Sequence, residues 1–232
     1  MRAWRNRAPM VGAKLDKRRS VLALVLAMGV GWPLLGLGAA VTQQDFFDAL
    51  RSRPDQAHGQ QLFARCASCH GMDGGGSADG LVPAIAGQHR RVLIRQLVDY
   101  RHSERWDLRM ESVARSHLLP DAQAIADVAA YVSELPRTPV RGVGSGEAAA
   151  YGRQVYARLC ASCHGAEGEG DDAKEVPRLA GQHYAYLLRQ LYDAVDGRRP
   201  DFPAAHVRLL KRFERSDFVG VADYLSRLGT TP

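Results

Sequence analysis

Apolar side chains recur on a helical spacing in four stretches of the chain. Gln88 to Tyr100 carries Val92, Ile94, Leu97 and Val98 in that pattern, and Asp121 to Leu135 carries Ile125, Val128, Ala129, Val132 and Leu135. Further along, Gln182 to Ala194 and Ser216 to Leu228 repeat the arrangement, with Ser216 the expected N-cap of the last helix. No alternating strand pattern of useful length occurs, so the expected class is all-α. Gly71 to Gly80 and Gly165 to Asp172 are glycine-rich and polar, hence loops. Pro136 to Gly146 has no apolar period and is rich in breakers, which marks a linker over residues 137–146.

The resemblance of the stretches is literal. Cys66-Ala67-Ser68-Cys69-His70-Gly71 returns 94 residues later as Cys160-Ala161-Ser162-Cys163-His164-Gly165. Ala86-Gly87-Gln88-His89 and Arg95-Gln96-Leu97 return at the same offset, and Gly59 faces Gly152 at an offset of 93. The chain is therefore read as a tandem duplication, with one domain over residues 41–136 and a second over 147–232.

Charge changes the picture at one end only. The 232 residues carry a net charge of +6, and residues 1 to 40 supply all of it. Beyond them the charges balance, which removes nucleic acid as an expected partner. Those forty residues read as a signal peptide: Lys17-Arg18-Arg19, an apolar run from Val21 to Leu37, then Gly38-Ala39-Ala40 before the expected cleavage. An uncleaved leader is the other reading, and membrane association is expected only in that case. Glycines at 29, 31, 36 and 38 and Pro33 weaken a spanning helix.

All four cysteines fall in two Cys-x-x-Cys-His motifs, the pattern of covalent c-type haem attachment. Cys66 and Cys69, and again Cys160 and Cys163, are spaced to bond the two vinyl groups on one haem edge. His70 and His164 follow directly to ligate the iron. A zinc ribbon would separate its cysteine pairs by about 15–20 residues; here 90 intervene, and each pair has its own histidine. A redox dithiol explains neither histidine. Two covalently attached haem c groups are expected.

These motifs, each followed by a Gly, a proline (Pro83 and Pro177), an Ala-Gly-Gln, a Gln-Leu helix and a closing helix, resemble two-domain di-haem class I cytochromes c of the cytochrome c-four type. The resemblance implies a small helical fold around each haem, with the Pro83 and Pro177 carbonyls orienting His70 and His164. It also implies a methionine completing each iron, and electron carriage in the periplasm, often to a terminal oxidase. Met110, 40 residues after His70, stands in the matching segment; filling the core is its alternative role. Met72 is too near His70 to reach the opposite haem face.

The second repeat departs from that pattern, since its residues include no methionine. His206 lies 42 residues after His164 and has no counterpart at offset 94 or 93. Two readings stand: His164/His206 ligation, or an open iron with His206 in solvent. His89 and His183 repeat one another and are expected to be structural or at the surface. His58, His102 and His117 read as surface residues. Arg208, Lys211, Arg212 and Arg215 would dock an acidic redox partner or simply face water. Glu167, Glu169, Asp171, Asp172 and Glu175 would repel anions or keep a loop wet. Two function classes follow: an electron carrier between redox proteins, or a haem enzyme or dehydrogenase haem subunit working at the second iron.

Overall fold

The structure is a computed structural model that describes residues 32–115 and 117–229; the leader up to residue 31 lies outside the described residues. The first described element, α1 (Trp32–Arg51), runs through the expected cleavage point at Ala40. Among the described residues no helix is long and apolar enough to cross a membrane. The chain divides at Val41 and Thr42 into two compact units, and both repeats lie in the second.

Helices α2 (Gln56–His70), α3 (Arg90–Arg101), α4 (Leu108–Ala114) and α5 (Ala122–Glu134) form the first repeat. The second contains α6 (Ala149–Leu159), α7 (Ala161–His164), α8 (Tyr184–Val195), α9 (Ala204–Leu210) and α10 (Arg215–Arg227). Among the described residues the nearest thing to a strand is one isolated bridge between Asp171 and Val176, so the class is all-α.

Carboxylates start several helices by satisfying N–H groups that have no partner within the helix. Asp55 accepts from the Ala57 and His58 amides, and Asp121 from Ala124. Such a cap contributes about 1 kcal/mol. The last helix corrects an expectation: Ser216 is not its cap. Glu214 is, because its side chain takes the amide of Asp217 while Asp217 Oδ2 accepts from Glu214 N at 2.8 Å.

The first core lies between α2, α3 and α5, where Phe63, Ile94, Val98, Ile125 and Val128 are buried. Phe46 of α1 is fully buried against it, with the Arg95 guanidinium 3.6 Å from its ring. In the second repeat Val155, Tyr156, Leu187, Val221 and Leu225 do the same work, and Leu210 with Phe218 seats α9. The repeated glycine marks where the first and last helices of each repeat cross. A Cβ at Gly59 would stand 2.3 Å from Asp127 O, and one at Gly152 only 1.8 Å from Gly220 O.

The two repeats join through the duplicated Ala-Gly-Gln-His. Gln88 donates Nε2 to Arg178 O at 3.0 Å and accepts from Arg178 N at 3.0 Å. Its counterpart Gln182 treats Ala84 the same way, at 2.7 and 3.0 Å. His89 Nε2 meets Glu169 O at 2.8 Å, and His183 Nε2 meets Gly75 O at 2.7 Å. Each contact recurs with the partners exchanged, as in a two-fold interface. The expectation that α3 and α8 begin at these glutamines is corrected: both start two residues later, because Gln88 and Gln182 turn across the seam.

Residues 137–146 are likewise engaged. Arg137 donates to Ala180 O, Thr138 to Asp73, and Tyr184 N reaches Gly142 O at 2.7 Å. The acidic loop is a cross-tie as well as wet surface: Asp172 Oδ1 accepts from Arg91 N at 2.9 Å, and Glu175 pairs with Arg91 at 3.4 Å and Arg95 at 3.1 Å.

Candidate haem sites

Cys66, Cys69 and His70 occupy the last turn and a half of α2, so the thiols share a helix face three positions apart. Cys160 links α6 to α7, which carries Cys163 and His164. The glycine behind each motif is required: Gly71 and Gly165 end their helices at φ +79° and +83°, a region costly for any residue with a Cβ. Burial pushes the Cys66 and Cys160 thiols up to about 11. A redox-active thiol needs the opposite shift. Among the described residues no group of three or more His, Cys, Asp and Glu side chains converges to hold a zinc ion.

His70 is 7 % exposed, and its Nδ1 lies 3.0 Å from Pro83 O. His164 Nδ1 lies 3.1 Å from Pro177 O. A carbonyl only accepts, so Nδ1 carries the proton in both rings and the Nε2 lone pair is left for a metal. Burial lowers both imidazole pKa values, against the opposing pull of these bonds and, for His70, of the Asp107 charge. Both rings are thereby held neutral.

Asp107, whose charge acts on His70, also caps α4, accepting from Arg109 N at 3.1 Å and Met110 N at 3.2 Å. Met110 is the third residue of this seven-residue helix; His206 is the third residue of α9, also seven long. The fixed offset hides that match because the connection 196–203 is two residues longer than 102–107. The His206 and His164 ring centroids are 6.1 Å apart, their planes inclined by 42°. Phe202 stacks on His206 at 4.9 Å and 14°. Met72, by contrast, is 79 % exposed.

His89 and His183 are structural, at the seam. His58 is exposed, as expected, and its Nδ1 meets the buried Asp127 at 2.7 Å; His102 is corrected from a surface residue to a half-buried one, its Nε2 3.0 Å from Asp45. His117 is exposed. One feature escaped the sequence altogether. Arg105 is only 2 % exposed, donates Nη2 to Tyr186 Oη and Gln190 Oε1, and leaves a buried Nη1 without a partner.

The Cytochrome c family pattern matches residues 56–136 and again 149–228. The chain belongs to the cytochrome c family. Cytochrome c4 of Pseudomonas aeruginosa is 30 % identical over 182 residues, covering 75 % of this chain and 89 % of that protein. A Stutzerimonas stutzeri protein named thiosulfate dehydrogenase electron acceptor is 31 % identical over 222 residues, covering 86 % and 96 %. The crystal structure of reduced recombinant cytochrome c4 from Pseudomonas stutzeri superposes with a TM-score of 0.67 at 28 % identity, over 76 % of this chain and all of that one.

This cytochrome is thus a c4-like, di-haem electron carrier with a tandem class I fold and two covalently bound haem c groups. The residues fit that cofactor. Each repeat offers a neutral imidazole beside a cysteine pair, and the buried open N–H of Arg105 suits an acidic group such as a haem carboxylate.

Proposed function

We propose that the protein is a periplasmic electron carrier whose two haems differ in their sixth ligand and therefore in potential. Cys66 and Cys69 would anchor the first haem, with His70 and Met110 as its axial pair; Cys160 and Cys163 would anchor the second, with His164 and His206. Each bound haem would supply one reversible one-electron step.

The observation that carries this reading is the match between α4 and α9, whose third residues are Met110 and His206. The ring geometry agrees. Two imidazoles held about 2 Å from one metal on opposite sides have centroids roughly 6 Å apart, and those of His164 and His206 are 6.1 Å apart. Phe202 stacks on His206 and limits the turning of its ring.

A thioether ligand favours the reduced state, whereas a second imidazole favours the oxidised state. The Met110 side is then the higher in potential and faces the electron acceptor; the His206 side is the lower and faces the donor. Export follows from the leader, whose Lys17-Arg18-Arg19 cluster and apolar run suit a secreted precursor.

The donor is more specifically a dehydrogenase. A relative covering 86 % of this chain is named thiosulfate dehydrogenase electron acceptor, which favours that partner over a terminal oxidase as the defining one. Catalysis at the second iron is the competing function, and an iron closed by His206 leaves no position for it.

Replacing His206 tests the assignment. His206→Met is expected to raise the second potential toward the first, within the roughly 0.8 V that axial ligands span. An unchanged pair of potentials in a spectroelectrochemical titration of this variant sinks the ligand assignment.

A further inference from the structure

Arg105 and Arg199 are the same position of the two repeats, 94 residues apart, and they converge on a single atom. Arg105 Nη2 lies 2.8 Å from Gln190 Oε1, and Arg199 Nη1 lies 2.7 Å from the same oxygen. An amide oxygen has two lone pairs, and here both are taken by guanidinium groups. Contacts continue on either side. Arg199 pairs with Asp201 and sits 4.3 Å over the Phe202 ring, which stacks on His206. Arg105 lies over Tyr100 at 4.8 Å, two residues before Asp107, the cap of the Met110 helix.

The convergence is one-sided. The counterparts of Gln190 and Tyr186 in the first repeat are Gln96 and Val92, and a valine has no acceptor for Arg199. Arg105, from the first repeat, is therefore held by two side chains of the second, with its unpartnered Nη1 buried. A buried N–H left unpaired costs about 1–3 kcal/mol, so this donor favours an anionic oxygen beside it.

We propose that Gln190 is a positioning residue that couples the two redox sites: by accepting from Arg105 and Arg199 together, it fixes both cations and transmits the charge state of one haem to the other. The idea rests on one haem in each repeat. Gaining an electron at either site changes the charge that its arginine faces. The shift in that guanidinium is carried to the other through the shared oxygen, which makes the coupling reciprocal.

The test uses full-length holoprotein and a spectroelectrochemical titration that resolves both potentials and their interaction. Gln190→Leu is expected to shift the first-repeat potential, although position 190 lies in the second repeat. It is also expected to reduce at least threefold the factor by which reduction at one site alters electron affinity at the other. At 59 mV per tenfold for one electron, threefold is about 28 mV. Gln96→Leu, the repeat-equivalent control, is expected to leave both quantities unchanged.

Gln190→Glu keeps the acceptor and adds charge, so it should lower both potentials, and it serves if the leucine variant does not assemble. The proposal is overturned if Gln190→Leu leaves the interaction intact, if Gln96→Leu acts equally, or if Gln190→Glu moves the second potential alone. Ferric electron paramagnetic resonance of each variant separates this from a failed ligand assignment, since the axial signatures of both haems should persist in all three.

Discussion

Replacing Gly152 by alanine perturbs the crossing of α6 and α10 with a single methyl group. The new Cβ would lie 1.8 Å from Gly220 O, 2.2 Å from Gly220 C and 2.9 Å from Val221 N. Comfortable non-bonded separations are about 3.5 Å, so the helices must part by roughly 1.5 Å. The obstacle is backbone and cannot rotate away, and parting the helices loosens Val155, Tyr156, Val221 and Leu225. Overpacking costs about 1–3 kcal/mol. The gain in helix propensity from glycine to alanine, about 1 kcal/mol, offsets part of a clash at or beyond the top of that range. A net loss of about 2–3 kcal/mol lowers the melting temperature by roughly 4–12 °C.

Gly220→Ala is the internal comparison. Its Cβ meets Tyr151 Cδ1 at 3.0 Å and Gly152 Cα at 3.1 Å, contacts that a few tenths of an ångström relieve. Thermal unfolding of the oxidised holoproteins, followed by far-ultraviolet circular dichroism with haem absorbance as a check on attachment, gives the answer. A Gly152→Ala protein as stable as the parent, or one no worse than Gly220→Ala, refutes the crossing argument.

Two further outcomes follow from the buried polar groups. Burial, reinforced by the Asp201 charge, pushes the Asp99 carboxyl up to about 7. An unfolded aspartate ionises near pH 4, so the native state binds the extra proton between about pH 4 and pH 7, and stability falls as pH rises through that window. The span of about three pH units corresponds to roughly 4 kcal/mol. Asp99→Asn should remove that slope from a set of denaturant titrations, and an unchanged slope contradicts the assignment. Gln182→Leu strips both partners from the Ala84 backbone and should cost about 1–3 kcal/mol, matched by Gln88→Leu at the equivalent seam contact. Calorimetry showing one substitution silent and the other costly would contradict the two-fold symmetry.

Much of the fold was legible because the duplication writes each helix twice. Ile94 with Val98, or Ile125 with Val128, mark faces that do enter the core. Periodicity within one repeat, however, says nothing about contacts between repeats. Gln88, Gln182, His89 and His183 look like helix starts or surface groups until the opposite repeat supplies the backbone atoms they bind. Arg105 failed for a similar reason: a charged residue in a polar loop reads as solvated, yet here it is buried under its neighbours. The Met110 and His206 match was masked by loop length, since the two added residues before α9 break the constant offset while the helix itself keeps its register.

The central claim is that His206, in the position of Met110, makes the second haem a bis-histidine centre. Low-temperature electron paramagnetic resonance of the oxidised, full-length protein tests it most directly. The account predicts two distinct low-spin ferric signals of equal intensity, one of the histidine–methionine kind and one bis-imidazole signal that disappears in His206→Ala. A high-spin second haem in the unsubstituted protein, or a bis-imidazole signal that survives His206→Ala, would contradict it.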